Sequence, residues 1–446
     1  MRVAERASGP LGDAELDIIF APFAGVRLIA LAVSGGADSL ALMVAADRWR
    51  RSRAGRPDLL VLTVDHRLRR GSAGEARMVA AAATARGLLH RTLVRRGPTP
   101  VSDVEAFARR ARYRLLVAAA EEAGASHIFT AHHRDDVAEG FLIRLARGSG
   151  VFGLAAMRRE VSAGGVVIAR PFLSIGRDRL AATARAAGLT PVVDAMNGDP
   201  RYARARVRAL LPHLAGEGLD PARIAETAMR LADADEAVEA AVTALIAGAV
   251  TADAFAVARL DPVAFAAAPR EVRLRALARV LHAVGGEDYP PRFQRLERLL
   301  EAIEGAPVVG RFKRTLGGTV IEQRDGRFLF YREGGREALP TLALRPGLVT
   351  VWDHRFAVEA GPRLPARLMI SPLGEDGRRT LGVAREGTPA AALATLPAVR
   401  RGKGILAVPS LGYLAKNVRE LPLVLRSVLD MRLLRPPLFP EPGGGD

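Results

Sequence analysis

The sequence predicts an α/β protein: a doubly wound parallel sheet first, a mostly helical domain after it, and a small α+β domain at the C-terminal end. Three observations predict it. Short apolar runs alternate with helical patterns over the first two hundred residues, as in strand–helix–strand units. Polar residues able to do chemistry fall at the ends of those apolar runs, where ligands bind in such sheets. From about Leu214 the texture changes to long stretches rich in Ala, Leu, Arg and Glu. The expected domains are residues 1–214, 215–338 and 339–446.

The elements follow in order. Residues 28–33 read as a buried strand and 39–50 as the helix after it. Residues 58–66 (DLLVLTVDH) form a second strand, 74–86 a second helix, and 90–94 a weaker strand. Residues 103–123 make a long helix, 127–133 (HIFTAHH) another strand, and 135–147 another helix. Downstream, 221–248 and 269–305 have helical spacing, while 308–331 shows β-type runs around Gly-Gly and Asp-Gly turns. A Pro/Leu stretch at 339–346 reads as a linker. Residues 349–358, 367–371 and 405–409 read as strands of the last domain, and the Pro- and Gly-rich end, 436–446, as a loose tail.

Composition removes several classes. The 446 residues include no Cys, which excludes a disulfide framework, Cys-based metal sites and any thiolate sulfur carrier. The N-terminus lacks a basic start followed by an apolar run, and the longest apolar stretch, 240–252, is too short to span a bilayer. A cytoplasmic protein without a membrane partner is expected. The net charge is +17, and the cations are nearly all Arg, with Lys only at 313, 403 and 416. Such a surplus attracts polyanions such as RNA. Arg spread over solvated faces gives the same surplus, so charge alone does not choose. Assembly stays open, a homodimer included.

The most specific feature is Ser34, Gly35, Gly36, Ala37, Asp38 and Ser39 (SGGADS), between a buried strand and a helix. Adjacent glycines let backbone N–H groups approach an anion, and the helix N-terminus adds free donors and partial positive charge. The two serines add hydroxyls. This is a cradle for a phosphate or pyrophosphate. It is neither a Walker A loop, since no Gly-Lys-Ser/Thr follows, nor a dinucleotide fingerprint. Without a Lys, neutralising the phosphates calls for a metal, and Asp38 is placed to help hold Mg²⁺. A plain βα turn capped by Asp38 or Ser39 is the bland alternative. The whole motif after a six-residue apolar run is far more specific than Gly-Gly alone. It resembles the PP-loop of the N-type ATP pyrophosphatases, which adenylate an oxygen and release pyrophosphate. That resemblance implies ATP and an adenine-nucleotide alpha-hydrolase-like fold.

Three further segments narrow the resemblance. Glu105-Ala106-Phe107-Ala108-Arg109-Arg110-Ala111-Arg112-Tyr113 puts Glu105, Arg109 and Arg112 on one helix face, and is similar to the E-A-x-A-R-x-x-R-Y motif of tRNA(Ile)-lysidine synthetases. Thr130-Ala131-His132-His133-Arg134-Asp135-Asp136-Val137-Ala138-Glu139, with Arg147-Gly148-Ser149-Gly150, resembles that family's T-A-H-H-x-D-D-Q-x-E-T…R-G-S-G block. Val137 and Gly140 stand where the family commonly has Gln and Thr. Asp194-Ala195-Met196-Asn197-Gly198-Asp199, with Arg201, Arg204, Arg208 and Leu211-Pro212, is similar to D-x-S-N-x-D…R-N-x-I-R…L-P. Met196 and Ala205 replace the usual Ser and Asn. Solvated charged faces and helix caps are the bland readings of each piece. The His pair lacks further ligands at zinc spacing.

The resemblance is strong over residues 28–213 and looser beyond. It implies a ligase that joins L-lysine to C2 of the wobble cytidine of the CAU anticodon of tRNA(Ile), through an adenylated cytidine, with release of AMP and pyrophosphate. It implies catalytic roles for Asp136, Glu139, Arg112 and His132, and ATP binding by the 34–39 loop with Mg²⁺ on Asp38. Asp65, His66, Arg109, Arg204 and Arg208 are expected to bind substrate, and the last domain tRNA. Asp136 and Glu139, one turn apart, suit orienting the lysine ammonium and accepting its proton. Two other readings stay open: a PP-loop amidoligase acting on a small molecule, and an inactive tRNA-binding homologue. The first would not need the residues after about Leu214.

Overall fold

The computed structural model describes residues 9–52, 54–67, 71–97, 104–155, 157–192, 201–287, 291–307, 311–335 and 338–435, with backbone alone for 104–106. The chain divides into two compact units, at Asp235 and Glu236.

The first unit opens with α1 (Asp13–Phe20) and a short 3-10 turn. It continues with β1 (Leu28–Ala32), α2 (Ala37–Ser52), β2 (Asp58–Asp65), α3 (Ser72–Ala85), β3 (Leu89–Val94), α4 (Val104–Ala123), β4 (His127–Phe129) and α5 (Arg134–Ala146). Then come α6 (Val151–Leu154), β5 (Glu160–Ala163), β6 (Val166–Ala169), α7 (Arg177–Ala186), α8 (Ala203–Gly216) and α9 (Pro221–Ala249), which runs past the boundary. The sheet order is β3-β2-β1-β4-β6-β5. All neighbours are parallel except the β5–β6 edge hairpin.

Strand alternation makes the sheet doubly wound. Ile29, Leu31, Leu59 and Val61 face a core with Phe20, Leu40, Trp49, Phe129, Phe172 and Leu180. Ala30, Leu60, Leu62, Ile128 and Ile168 face a second core with Leu116 and Ala120 of α4. Successive strand residues point to opposite faces, so both faces must be apolar and the strands read as unbroken hydrophobic runs. The chain leaves β1 toward β2 on one side and meets β4 on the other. That is the switch point, where the loops diverge and leave a crevice.

The second unit holds β7 (Val250–Ala252), β8 (Ala258–Leu260), α10 (Pro262–Ala266), α11 (Arg270–Gly285), α12 (Phe293–Glu304), β9 (Lys313–Leu316), β10 (Thr319–Arg324) and β11 (Arg327–Arg332). The expected Gly-Gly and Asp-Gly turns join β9 to β10 and β10 to β11. Helices alone do not make this region. β7 and β8 complete a five-stranded antiparallel sheet, β7-β8-β11-β10-β9. Next come β12 (Leu342–Ala343), β13 (Val349–Trp352), β14 (Phe356–Ala360), β15 (Met369–Pro372), α13 (Gly374–Thr380) and α14 (Ala390–Ala394). The unit closes with β16 (Pro397–Arg401), β17 (Gly404–Val408), β18 (Tyr413–Leu414), β19 (Leu423–Ser427) and α15 (Leu429–Leu434). The expected linker at 339–346 is not a free tether: β12 pairs with β15, and Leu344 is buried. The tail at 436–446 lies outside the described residues.

A large core spans this unit from Val242 to Leu433, and a smaller one gathers Val257, Val320, Leu329 and Tyr331. Backbones approach closely where α11 ends: a Cβ at Gly285 would sit 1.8 Å from the carbonyl oxygen of Gly317. A buried ion pair adds specific geometry. Asp353 accepts from Arg355 and faces Arg332 at 3.4 Å, and Arg355 also donates to Thr395 through Nη1 (3.2 Å) and Nη2 (3.1 Å). Burial pulls Arg355 down to about 10. Removing one partner of a buried pair leaves the other uncompensated, at about 3–5 kcal/mol. Arg355→Met is therefore expected to lose about 3 kcal/mol of unfolding free energy in guanidinium titration. A loss under about 1 kcal/mol would show that Asp353 finds a full substitute.

Candidate functional site

The site is built from the loops after β1, β2 and β4. At the end of β1 the chain turns into α2 around one hydroxyl. The Ser34 and Gly35 N–H groups donate to Ser39 Oγ (3.1 and 3.2 Å), and Ser39 Oγ donates to the Gly36 carbonyl (3.0 Å). Gly35 has φ +94, and a Cβ there would meet Met78 at 3.2 Å and Val79 at 3.4 Å. Glycine is required by backbone and space alike. The first-turn N–H groups of α2 have no acceptor within the helix, an arrangement that suits an anion. Ala37 opens that turn.

β4 stops at Phe129, short of the expected strand end at 133, and beyond it two adjacent histidines meet different surroundings. His132 shares a 2.9 Å hydrogen bond with Thr130 Oγ1 through Nδ1. Burial holds it well below the ordinary histidine value, and Arg170, Arg109, Arg112 and Arg204 push the same way. It is a neutral imidazole among four guanidiniums. His133 is 1 % exposed and caps α5: the Asp136 N–H donates to its Nδ1 (3.4 Å), while its own N–H donates to Asp136 Oδ2 (3.1 Å). Its Nε2 lies 3.5 Å from Asp38 Oδ2 and 3.4 Å from Asp136 Oδ2. The carboxylates around it outweigh burial and raise its pKa.

These groups border a cavity of about 510 Å³ lined by Ser34, Gly36, Asp38, Ser39, His66, Arg112, His132 and Asp136 among others. It has two poles. Arg112 and His132, with Arg109, Arg170 and Arg204 close by, make a cationic side that suits phosphate. Asp38 and Asp136 make an anionic side. Asp38 Oδ1 is buried with no hydrogen-bond partner, an unusual state for a carboxylate oxygen. A hard divalent cation held by one carboxylate and by phosphates fits it.

Comparison with known proteins gives the family of the chain. Residues 13–214 match the PP-loop domain family. A protein named tRNA(Ile)-lysidine synthase in Bradyrhizobium sp. (strain BTAi1) is 46% identical over 329 residues, 70% of this chain and 92% of the relative. Another so named, in Ruegeria pomeroyi, is 37% identical over 398 residues, 86% of this chain and 89% of the relative. The chain belongs to the tRNA(Ile)-lysidine synthase family. The 34–39 loop at the end of β1 lies within the matched residues.

The family residues expected from sequence do not all reach the cavity. Glu139 is 1 % exposed, and its two carboxylate oxygens accept from Arg208 Nε (2.5 Å) and Nη2 (3.1 Å). It ties α5 to α8. Burial raises its pKa even though Arg208 opposes the shift. Asp65 is buried, and its Oδ1 accepts from the Arg67 N–H (3.0 Å) and Ser72 Oγ (2.6 Å), which links the end of β2 to the first residue of α3. His66 lines the cavity with Nδ1 buried and unpartnered; burial, then Arg112 and Arg95, keep it neutral. Arg109 and Arg112 both lie over the Tyr113 ring, at 5.3 and 5.4 Å. Arg204 and Arg208 are one turn apart on α8, but α8 begins at Ala203, so Arg201 is not on their helix face. The Glu105 side chain and residues 194–199 lie outside what the structure describes.

Sequence reasoning missed His133 and Arg170. His133 was legible as the neighbour of His132 at the cap position before the next helix. Arg170, 3 % exposed at the end of β6, carried no local signal. Among the described residues no helix is long and apolar enough to cross a membrane. The His132 environment gives a direct prediction. By imidazole NMR its ring stays neutral from pH 8 down to well below about 6.5, the ordinary value. Arg112→Ala moves the titration upward. A wild-type His132 titrating at about 6.5 would contradict the cationic pole.

Proposed function

We propose that this chain joins the ε-amine of L-lysine to C2 of the wobble cytidine of a CAU-anticodon isoleucine tRNA at the expense of ATP. Family membership supports it. The observation that carries it is that cationic and anionic side chains, Arg112 and His132 with Asp38 and Asp136, line one cavity beyond β1 and β4. The reaction needs both: phosphate oxygens on one side and an ammonium on the other.

In the first step the cytidine O2 attacks the α-phosphorus, the bond to the β-phosphate breaks, and pyrophosphate leaves. Negative charge grows on phosphate oxygens, so preorganised donors lower the barrier. The N–H groups at the start of α2, the Ser34 hydroxyl and Arg112 are assigned this role, and Ser39, whose hydroxyl donates to Gly36, is assigned to holding the loop. Asp38 would hold Mg²⁺, which supplies charge neutralisation when bound. His132, neutral, offers Nε2 to a phosphate or to a proton in transit.

In the second step the lysine amine forms a bond to C2, the C2–O bond breaks, and AMP leaves. The ammonium must first be held and then lose a proton. Asp136 faces the cavity and is assigned both tasks. Glu139 is assigned a supporting task, holding Arg208 and with it α8, from which Arg204 is assigned to phosphates. Arg109 stacks beside Arg112 and shares that assignment. His66 is assigned to the nucleotide, Asp65 to shaping the turn that presents it. Residues 339–446 are assigned to tRNA.

The test is incorporation of radiolabelled lysine into an unmodified CAU tRNA(Ile) transcript with ATP. Wild type labels that tRNA and not initiator tRNA with the same anticodon. Asp136→Asn, which keeps the cap on α5, loses at least about 100-fold in rate, the scale of a positioned acid–base group. Near-normal labelling by Asp136→Asn sinks the role of Asp136. Lysine-independent use of ATP on a small molecule sinks the reading as a whole.

A further inference from the structure

One buried imidazole joins the two halves of the site. His133 sits on neither pole's lining, yet its Nε2 is nearly equidistant from Asp38 Oδ2 (3.5 Å) and Asp136 Oδ2 (3.4 Å). Asp38 belongs to the loop for the phosphates, and Asp136 to the helix for the amine. The ring cannot turn freely. It is 1 % exposed, and its Nδ1 accepts the Asp136 N–H. With Nδ1 an acceptor, the imidazole proton of the neutral ring resides on Nε2, between two carboxylates. One N–H cannot make a short hydrogen bond to both, and both distances are correspondingly long. Asp135 is the other acid facing the ring, 3.8 Å from Nδ1.

We propose that His133 is a positioning residue that shares its Nε2–H between Asp38 and Asp136 and so couples nucleotide binding to lysine binding. A cation engaged by Asp38 Oδ1 draws charge from that carboxylate and leaves its Oδ2 the weaker of the two acceptors. The N–H then goes wholly to Asp136 Oδ2, fixes its rotamer, and leaves Oδ1 to meet an ammonium. The same shift runs in reverse, because coupling between two ligands is reciprocal. This inference rests on lysine being the amine substrate.

The test is equilibrium binding by calorimetry, without turnover. α,β-Methylene-ATP with Mg²⁺ is titrated with and without lysine, and lysine with and without that nucleotide. In the wild type each ligand tightens the other about 10-fold, within the usual range for coupled sites. In His133→Asn the ratio falls to about one. Asn is a favoured N-cap, and its amide reaches only the Nδ1 position. His133→Gln, whose amide reaches the Nε2 position, restores most of the coupling and serves as the test if His133→Asn does not fold. Wild-type coupling in His133→Asn, loss of coupling in His133→Gln, or a ratio of one in the wild type overturns the proposal while leaving the functional reading intact. A wild type that binds nucleotide and never binds lysine overturns the functional reading, and this inference with it.

Discussion

The pairing of β1 with β4 is the constraint on which the site depends. Ile29, Ala30 and Leu31 lie beside His127, Ile128 and Phe129 in parallel register. Residues about one hundred positions apart in sequence thereby release their chains at the same edge of the sheet. One chain end becomes the Ser39-centred loop, the other the His132–His133 corner. A slip of one residue would turn each β4 side chain to the opposite face. Both faces are buried, and Phe129 is packed against Phe20 and Phe23, so the register is pinned by the cores.

Electrostatics then follows from placement. Four arginines from α4, the end of β6 and α8 converge on His132, while three aspartates converge on His133. Adjacent residues thus sit in fields of opposite sign. Such separation is costly unless the groups are paired or a ligand completes them. Glu139 and Arg208 show the paired solution, the buried Asp38 Oδ1 the uncompleted one.

The first unit was largely legible in sequence. Its strands are unbroken apolar runs because both faces are covered, and its loops carry Gly-Gly, Asp-His and His-His at the carboxyl ends. Less was legible where partners are distant. Glu139 reads as a catalytic carboxylate until Arg208 is seen against it, sixty-nine residues away. The five-stranded sheet of the second unit escaped because β7 and β8 are three residues each and β8 pairs with distant β11. Short strands leave little periodicity to read. The β9–β10–β11 meander was legible because its turns are local Gly-Gly and Asp-Gly pairs.

The central claim is that phosphate and cation meet at the 34–39 loop, with the cation on Asp38. It is tested most directly by anomalous diffraction from crystals grown with α,β-methylene-ATP and Mn²⁺. The account predicts a single strong peak in coordination contact with Asp38 Oδ1, with the nucleotide's β- and γ-phosphates against the first turn of α2. A peak away from Asp38, or phosphates bound outside the 34–39 loop, would contradict it.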